Sequence, residues 1–140
     1  MRRKYMMIKI TEVPISLESV VNEVKARSSG CVVTYVGLIR DHSRGKQVQS
    51  VTYKDASGEA EKKLHEIADE IKRKWPVDNV AIYHRVGNLN VGDINLVVAI
   101  AAPHRAEGFA ACQFAIDQFK RELPTSKKET YLDGGVWEGE

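Results

Sequence analysis

Two adjacent stretches decide the fold: I-N-L-V-V-A-I-A at residues 94–101, and F-A-A-C-Q-F-A-I-D-Q-F-K-R-E-L-P at residues 109–124. In the first, large apolar residues alternate with smaller ones, which is typical of a strand with two unlike faces. The small residues predict a central strand that a helix covers closely. In the second, apolar residues recur at spacings of 3, 4, 3 and 4 between Phe109 and Leu123. That spacing predicts a helix from about Ala106, which Pro124 then stops.

Two further helices follow from the same periodicity. Apolar residues spaced as on one helix face follow Ser16, a good N-cap residue, and predict a first helix from there to about Ser28. The second helix should run from about Ser57 to Lys74, because Pro76 forbids its continuation.

β-Branched and alternating residues predict strands between these helices. A buried strand is expected at Cys31–Val36, and two more at Val48–Tyr53 and Val80–Val86. The polar residues 40–47 predict a mobile loop, and Asn88–Asp93 a turn. Strands and helices mix without strict alternation, so we expect an α+β fold in a single domain of residues 1–140, with three main helices packed on a mixed or antiparallel sheet.

Composition excludes several classes of function. Hydrophobic residues make up 43% of the 140 residues and charged residues 29%, which is typical of a globular domain. No apolar run reaches the roughly 20 residues of a membrane helix, and the basic start lacks the features of a signal peptide, so a cytoplasmic location is expected. A net charge of +2 is too small to predict nucleic-acid binding. Cys31 and Cys112 belong to no metal-ligand spacing, so no metal site is predicted.

Lysines flank the end of the third helix. Lys120 lies near the border of the apolar stripe, where its stem can run along buried surface while its amine reaches the edge. A lysine there also suits the negative end of the helix dipole, so a purely structural role is an alternative to a catalytic one. Lys127 and Lys128, taken alone, are typical of a solvated charged segment.

Three residues at the ends of predicted elements suit an anion. Arg40 follows the first predicted strand, and His104 and Arg105 lie at the start of the third helix, where free backbone N–H groups favour negative charge. Helix capping is the alternative explanation for His104 and Arg105. A second His-Arg pair, His84–Arg85, falls inside a strand with its side chains on opposite faces, which favours a structural role.

An ordered set of short motifs resembles a known family. The chain has G-x-I-R at residues 37–40, H-R-V-G-x-L-x-V-G-D at 84–93 and H-R-x-x-x-F-x-A at 104–111. F-K precedes P-x-x-K-K-E at 124–129, and a late Trp137 follows. Each fragment is weak alone, but in this order they resemble the large, catalytic subunit of molybdopterin synthase, from about Ile10 to Trp137.

The resemblance implies an α/β-hammerhead fold and a homodimer within a heterotetramer. Its partner would be a small ubiquitin-like sulfur carrier whose C-terminal Gly-Gly is charged as a thiocarboxylate. The reaction would transfer sulfur from this carrier to cyclic pyranopterin monophosphate and build the dithiolene of molybdopterin, in molybdenum cofactor biosynthesis. The pterin is a substrate, so no permanently bound cofactor is expected.

The resemblance also implies the site residues. Lys120 would be the central catalytic lysine and Lys127 its partner. The residues expected to bind substrate are Leu38, Ile39, Arg40, His104, Arg105, Lys128 and Glu129. A fixed ammonium suits this chemistry because acyl transfer of sulfur builds up an oxyanion.

Two departures from the family pattern keep alternatives open. The family usually has an aromatic residue before the second lysine, where this chain has Ser126, and the segment from Tyr53 to Ala60 also differs. A non-catalytic adaptor that binds the carrier's tail is therefore one alternative. A small nucleic-acid-binding domain, suggested by the basic loop from Arg40 to Lys46, is another, although stacking aromatic residues are lacking near that loop.

Overall fold

The computed structural model of the protein describes residues 6–139. The strands are β1 Met6–Thr11, β2 Cys31–Leu38, β3 His42–Ser43, β4 Lys46–Lys54, β5 Asn79–Arg85, β6 Gly87–Asn90, β7 Ile94–Ala102, β8 Ser126–Tyr131 and β9 Val136–Gly139. The helices are α1 Leu17–Val24, α2 Ala60–Lys74 and α3 Arg105–Glu122. Residues 1–5, which were part of the segment searched for a signal peptide, lie outside the described residues, as does Glu140.

β7 lies in the interior of a four-stranded sheet of order β1-β5-β7-β2. β1 runs parallel to β5, whereas β7 is antiparallel to both of its neighbours. The prediction of a central strand is confirmed. The predicted strand at 31–36 is confirmed, but β2 lies at an edge of this sheet and is mostly half-buried, with Thr34 exposed, so the prediction that this strand is buried is wrong.

Helices cover both faces of this sheet. α2 and α3 pack on one face, in a core that includes Val80, Ile82, Val98 and Ile100. α1 covers the other face, where Val20 and Val24 pack with the small residues of β5 and β7: Ala81, Val97, Ala99 and Ala101. A helix therefore covers the small-residue face of β7, as predicted.

The second sheet carries β4 at its centre. Its order is β3-β4-β8-β9, and β6 pairs with β4 on the side opposite β8. The second sheet has a separate small core, which is formed by Ile39, Val48, Val51, Leu89 and Tyr131. Helices on mixed and antiparallel sheets confirm the predicted α+β class.

The ends of the first two helices differ from the predicted ones. The Ser16 side chain caps α1 as expected, accepting a hydrogen bond from Ser19 N at 3.3 Å. The helix ends at Val24, before Ser28, because Lys25 already has extended backbone angles. α2 begins at Ala60, after a turn that holds Gly58 at a φ of 73°.

Residues 40–47 were predicted to be a mobile loop, but most of them form a hairpin between β3 and β4. Ser43 pairs with Lys46, and the two residues between them, Arg44 and Gly45, have φ angles of 54° and 77°. Positive φ at both central positions is typical of a tight type I′ turn. The hairpin therefore gives the backbone of these residues a defined conformation at the edge of the second sheet.

Candidate active site

The first part of the candidate site is the segment that follows β2. The pairing of β2 becomes irregular between Gly37 and Leu38, and the chain then turns towards the second sheet. Ile39 is buried there and donates a backbone hydrogen bond to Asp93 O at 3.0 Å. Leu38 is 57% exposed and Arg40 is also exposed, so the segment is anchored by Ile39 and presents its two neighbours at the surface.

A line of packed rings connects the two predicted catalytic lysines. Lys120 is exposed in the last turn of α3, and the ring of the preceding Phe119 lies edge-on to His84, with 4.9 Å between centroids. The His84 ring lies 5.1 Å from that of Tyr53, which pairs with Lys127 across β4 and β8. Lys120 and Lys127 are thus on elements that meet at one junction.

A small cavity of about 50 Å³ opens beside Lys127. It is lined by Leu38, Ile39, Arg40, His42, Ser43, Val48, Val51, Tyr53, Lys127 and Glu129. The structure thus brings together five of the predicted site residues. Lys120, Lys128, His104 and Arg105 do not line this cavity.

Glu129 is the buried charge of this cavity. Its carboxylate accepts a hydrogen bond from the Tyr131 hydroxyl at 2.7 Å and lies 3.3 Å from Lys127 Nζ and 3.7 Å from Arg44 Nε. Burial raises the pKa of Glu129, but hydrogen bonds from Tyr131, Ser43 and Lys127 and the charge of Lys127 outweigh it, so the pKa lies below its usual value. The Glu129 side chain is only 4% exposed. This burial favours a role in which Glu129 holds Lys127 over one in which it contacts a substrate directly.

Arg44 closes the outer side of the Glu129 cluster. Its guanidinium lies 3.7 Å from the ring centroid of Trp137, a distance at which cation–π attraction is favourable. The late tryptophan of the family pattern therefore supports the hairpin arginine beside the cavity.

Lys128 faces away from Lys127, because successive side chains of a strand point to opposite faces. It is exposed and lines a different cavity of about 170 Å³, together with Lys127, Lys54, Ser126 and residues of β9. The predicted substrate-binding residues of β8 thus lie on two sides of the strand: Glu129 lines the small cavity, Lys128 lines the larger one, and Lys127 lines both. Ser126 leaves open the space beside it that an aromatic side chain would occupy.

His104 and Arg105 lie at the other end of the molecule from the lysines. At 1.5 Å per residue, His104 and Lys120 are about 24 Å apart along the axis of α3. Arg40 is equally remote, since β2 pairs Cys31 with the end of β7 that leads to His104, and Leu38 with the opposite end. The predicted pocket of Arg40, His104 and Arg105 therefore cannot form within one chain.

His84 is buried at the junction between the two sheets and α3. Its Nδ1–H donates to Asn95 O at 2.8 Å, and Nε2 has no hydrogen-bond partner among the described residues. Burial lowers the pKa of His84, so the ring is neutral at pH 7. Its neighbour Arg85 pairs with Asp93 at 3.4 Å, and both contacts agree with the structural role predicted for this pair.

Sequence reasoning missed several residues that line or support the cavity. His42 and Ser43 fell in the segment expected to be mobile, and Tyr131 follows Glu129 in a strand that was not predicted. The alternation of Lys127, Glu129 and Tyr131 was a signal for that strand, since all three point to one face.

Other features of residues 6–139 offer no competing site. Two larger clefts, of about 490 and 520 Å³, lie between α2 and α3 and beside β1, and neither contains a predicted site residue. Within the same residues there is no cluster of side chains suited to a metal ion, and no helix is long and apolar enough to cross a membrane.

The chain is similar in sequence to proteins of one known family. A model of the MoaE protein family matches residues 10–122. The chain belongs to the MoaE family. A MoaE relative from Halalkalibacterium halodurans, a molybdopterin synthase catalytic subunit, is 37% identical over 94% of this chain and 84% of its own length. A catalytic subunit from a Nostoc species is 42% identical over 89% of this chain and 76% of its own length.

Solved MoaE structures have the same fold. The crystal structure of molybdopterin synthase from Staphylococcus aureus matches with a TM-score of 0.89 and 33% identity, over 95% of this chain and 96% of that chain. A MoaE protein from Burkholderia ambifaria matches with a TM-score of 0.81 and 37% identity, over 95% and 88%. This chain therefore has the function of a molybdopterin synthase catalytic subunit, a sulfur-transferring enzyme of molybdenum cofactor biosynthesis.

Proposed function

We propose that this chain transfers sulfur from the thiocarboxylated Gly-Gly tail of a ubiquitin-like carrier to cyclic pyranopterin monophosphate. The observation that carries the proposal is the cavity that joins Arg40 to Lys127 at the end of the molecule where Lys120 also lies. The thiocarboxylate and the cyclic phosphate are both anions, so cations are needed to bring them together. Arg40 offers a planar fork for a phosphate, and Lys127 is held by Glu129 at 3.3 Å.

The lysines have a defined part in this chemistry. When the carbonyl carbon of the carrier's tail is attacked, its oxygen becomes an oxyanion, and a fixed ammonium beside it stabilises the transition state. Lys120 stands on the rigid end of α3 and serves this role. Lys127, on β8, adds a further positive charge at the same end of the molecule.

Partner chains complete the site. A cavity of about 50 Å³ is far below the roughly 300–1,000 Å³ that small-molecule sites enclose. We infer that a second copy supplies His104 and Arg105, and that two copies and two carriers form a heterotetramer. One chain in the solved complex of subunits 1 and 2 of molybdopterin-converting factor from Helicobacter pylori has the same fold as this chain, with a TM-score of 0.75 at 16% identity.

The pterin enters as a substrate, and we propose no permanently bound cofactor. A cytoplasmic location, which was predicted from the sequence, remains a proposal that cell fractionation would test.

The test is reconstitution with a thiocarboxylated carrier and cyclic pyranopterin monophosphate, with the dithiolene product measured. We expect the wild-type protein to form product, and Lys120→Ala to lower turnover by about 10²- to 10³-fold, the usual loss when one oxyanion donor is removed. Arg121→Ala is the matched control, since it removes the neighbouring exposed cation of the same helical turn. A Lys120→Ala variant with normal turnover, or a wild-type protein that forms no dithiolene, would contradict the proposal.

A further inference from the structure

The hairpin beside the cavity carries a histidine whose ring is fixed by its neighbour. His42 Nδ1 lies 2.8 Å from Asp41 Oδ1, and a carboxylate can only accept, so Nδ1–H is the donor. In the neutral ring this leaves the lone pair on Nε2, which has no partner among the described residues. The backbone is fixed as well, because His42 pairs with Gln47 and Val48 N donates to Asp41 O at 2.8 Å.

His42 lines the same cavity as Arg40 and Lys127. Its side chain is 69% exposed, so both water and a bound substrate can reach it. An aspartate that orients a histidine whose second nitrogen is free is the arrangement that general-base catalysis uses.

The other titratable groups that line the cavity are poorly suited to accept a proton. A guanidinium group has hydrogen-bond donors and no acceptor, so Arg40 offers no atom that could take a proton. Glu129 is buried, with its carboxylate already bonded to Tyr131, Ser43 and Lys127. Burial raises the pKa of Tyr53, so its hydroxyl keeps its proton. Lys127 lies 3.3 Å from Glu129, so its ammonium group is already paired with that carboxylate.

The proposed reaction requires such a base. If the thiocarboxylate sulfur attacks the pterin, the carrier stays joined to it through an acyl–sulfur bond. Release of the carrier then requires water, because that bond must be hydrolysed before a free thiolate appears on the pterin. Water at neutral pH is a weak nucleophile, and a positioned base typically accelerates its attack by about 10²- to 10⁴-fold.

We propose that His42 is the general base for this hydrolysis and that Asp41 is the positioning residue that orients it; the assignment rests on the proposed function. His42 Nε2 takes one proton as the water oxygen bonds to the acyl carbon. The carbon–sulfur bond then breaks, and its electron pair leaves with sulfur as the pterin thiolate. The carrier's new carboxylic acid loses its proton to solvent, as does the imidazolium, so one water is consumed and two protons are released.

The test uses the complete synthase with thiocarboxylated carrier and cyclic pyranopterin monophosphate. We expect His42→Ala to lower steady-state dithiolene formation by about 10²-fold or more, while the carrier–pterin adduct forms at the wild-type rate and accumulates, as seen by intact-protein mass spectrometry. Added imidazole should restore turnover and remove the adduct, because the exposed site admits it. Asp41→Asn should cause a smaller loss of the same kind.

Gln47→Ala is the control, since Gln47 is exposed on the same hairpin and pairs with His42. It should leave turnover unchanged. Normal turnover in His42→Ala would overturn the assignment, and so would a slow variant that accumulates no adduct and gains nothing from imidazole. A wild-type protein that forms neither adduct nor dithiolene would instead refute the proposed function, and the His42 assignment with it.

Discussion

Glu129 illustrates how one residue's role depends on its surroundings. Resemblance to the family implied contact with the substrate, yet the carboxylate is buried and bonded to Tyr131 and Lys127. A charge in such a position is stable only with its partners, because burying it alone is costly. We therefore expect Glu129 to act through Lys127, by fixing the position of its ammonium group.

We predict that Glu129→Gln lowers the free energy of unfolding by about 1–3 kcal/mol at pH 7, the usual cost of losing a hydrogen-bonded charge. The pKa of Glu129 is lower in the folded state than its usual 4.5. Its stabilisation is therefore full above about pH 4.5 and is lost as the pH falls through the folded-state pKa. Chemical denaturation of both proteins between pH 7 and pH 3 measures this difference.

Asp133→Asn is the control for this prediction. Asp133 also has a lowered pKa, caused first by a backbone hydrogen bond from Gly135 and then by Lys46, but it lies at the surface. Its replacement should have a smaller effect at pH 7. Equal effects of the two substitutions, or a Glu129→Gln difference that is unchanged down to pH 3, would show that the Glu129 contacts do not stabilise the fold.

At the scale of elements, hydrophobic periodicity predicted the helices and strands whose sequences carry one regular apolar pattern. α2 and α3 each bury one apolar stripe and β7 is buried on both faces, and all three were predicted close to their observed ranges. β6 and β8 were not predicted, since they are short, largely polar and exist because β4 pairs with them on either side. Their pairing partners are distant in sequence, so the only local signal was the weak alternation of Lys127, Glu129 and Tyr131 in β8.

β8 has a cavity beside it where the family usually has an aromatic residue. About 170 Å³ is open next to Ser126, immediately before Lys127. We predict that Ser126→Trp fills this space, restrains Lys127 and raises turnover by about 5- to 30-fold, or about 1–2 kcal/mol of transition-state stabilisation, through improved positioning. Carrier affinity should change little. Turnover and carrier binding are measured side by side for the two proteins.

The same experiment separates an enzyme from a non-catalytic adaptor. A wild-type protein without turnover that Ser126→Trp does not rescue would favour the adaptor. A wild-type protein already as fast as the variant would show that Ser126 holds Lys127 as well as an aromatic residue does.

At the scale of the whole molecule, the predicted site is divided between two ends. Arg40, Lys120 and Lys127 gather where β2 and α3 end, whereas His104 and Arg105 begin α3. The sequence predicted an anion site from the types of these residues, but helical and strand periodicity do not reveal which end of one element meets which end of another. A second copy is therefore central to the account, because only another chain can bring Arg105 to Lys120.

Mixing two inactive variants tests this claim most directly. The Lys120→Ala and Arg105→Ala proteins are each expected to have little activity on their own. The two variants are unfolded and refolded together, and the mixture is then assayed with the carrier and the pterin substrate. If each site takes Lys120 from one copy and Arg105 from the other, mixed dimers contain one intact site, and random pairing restores about a quarter of wild-type turnover. Mixed dimers that form but show no more activity than the separate variants would contradict the account.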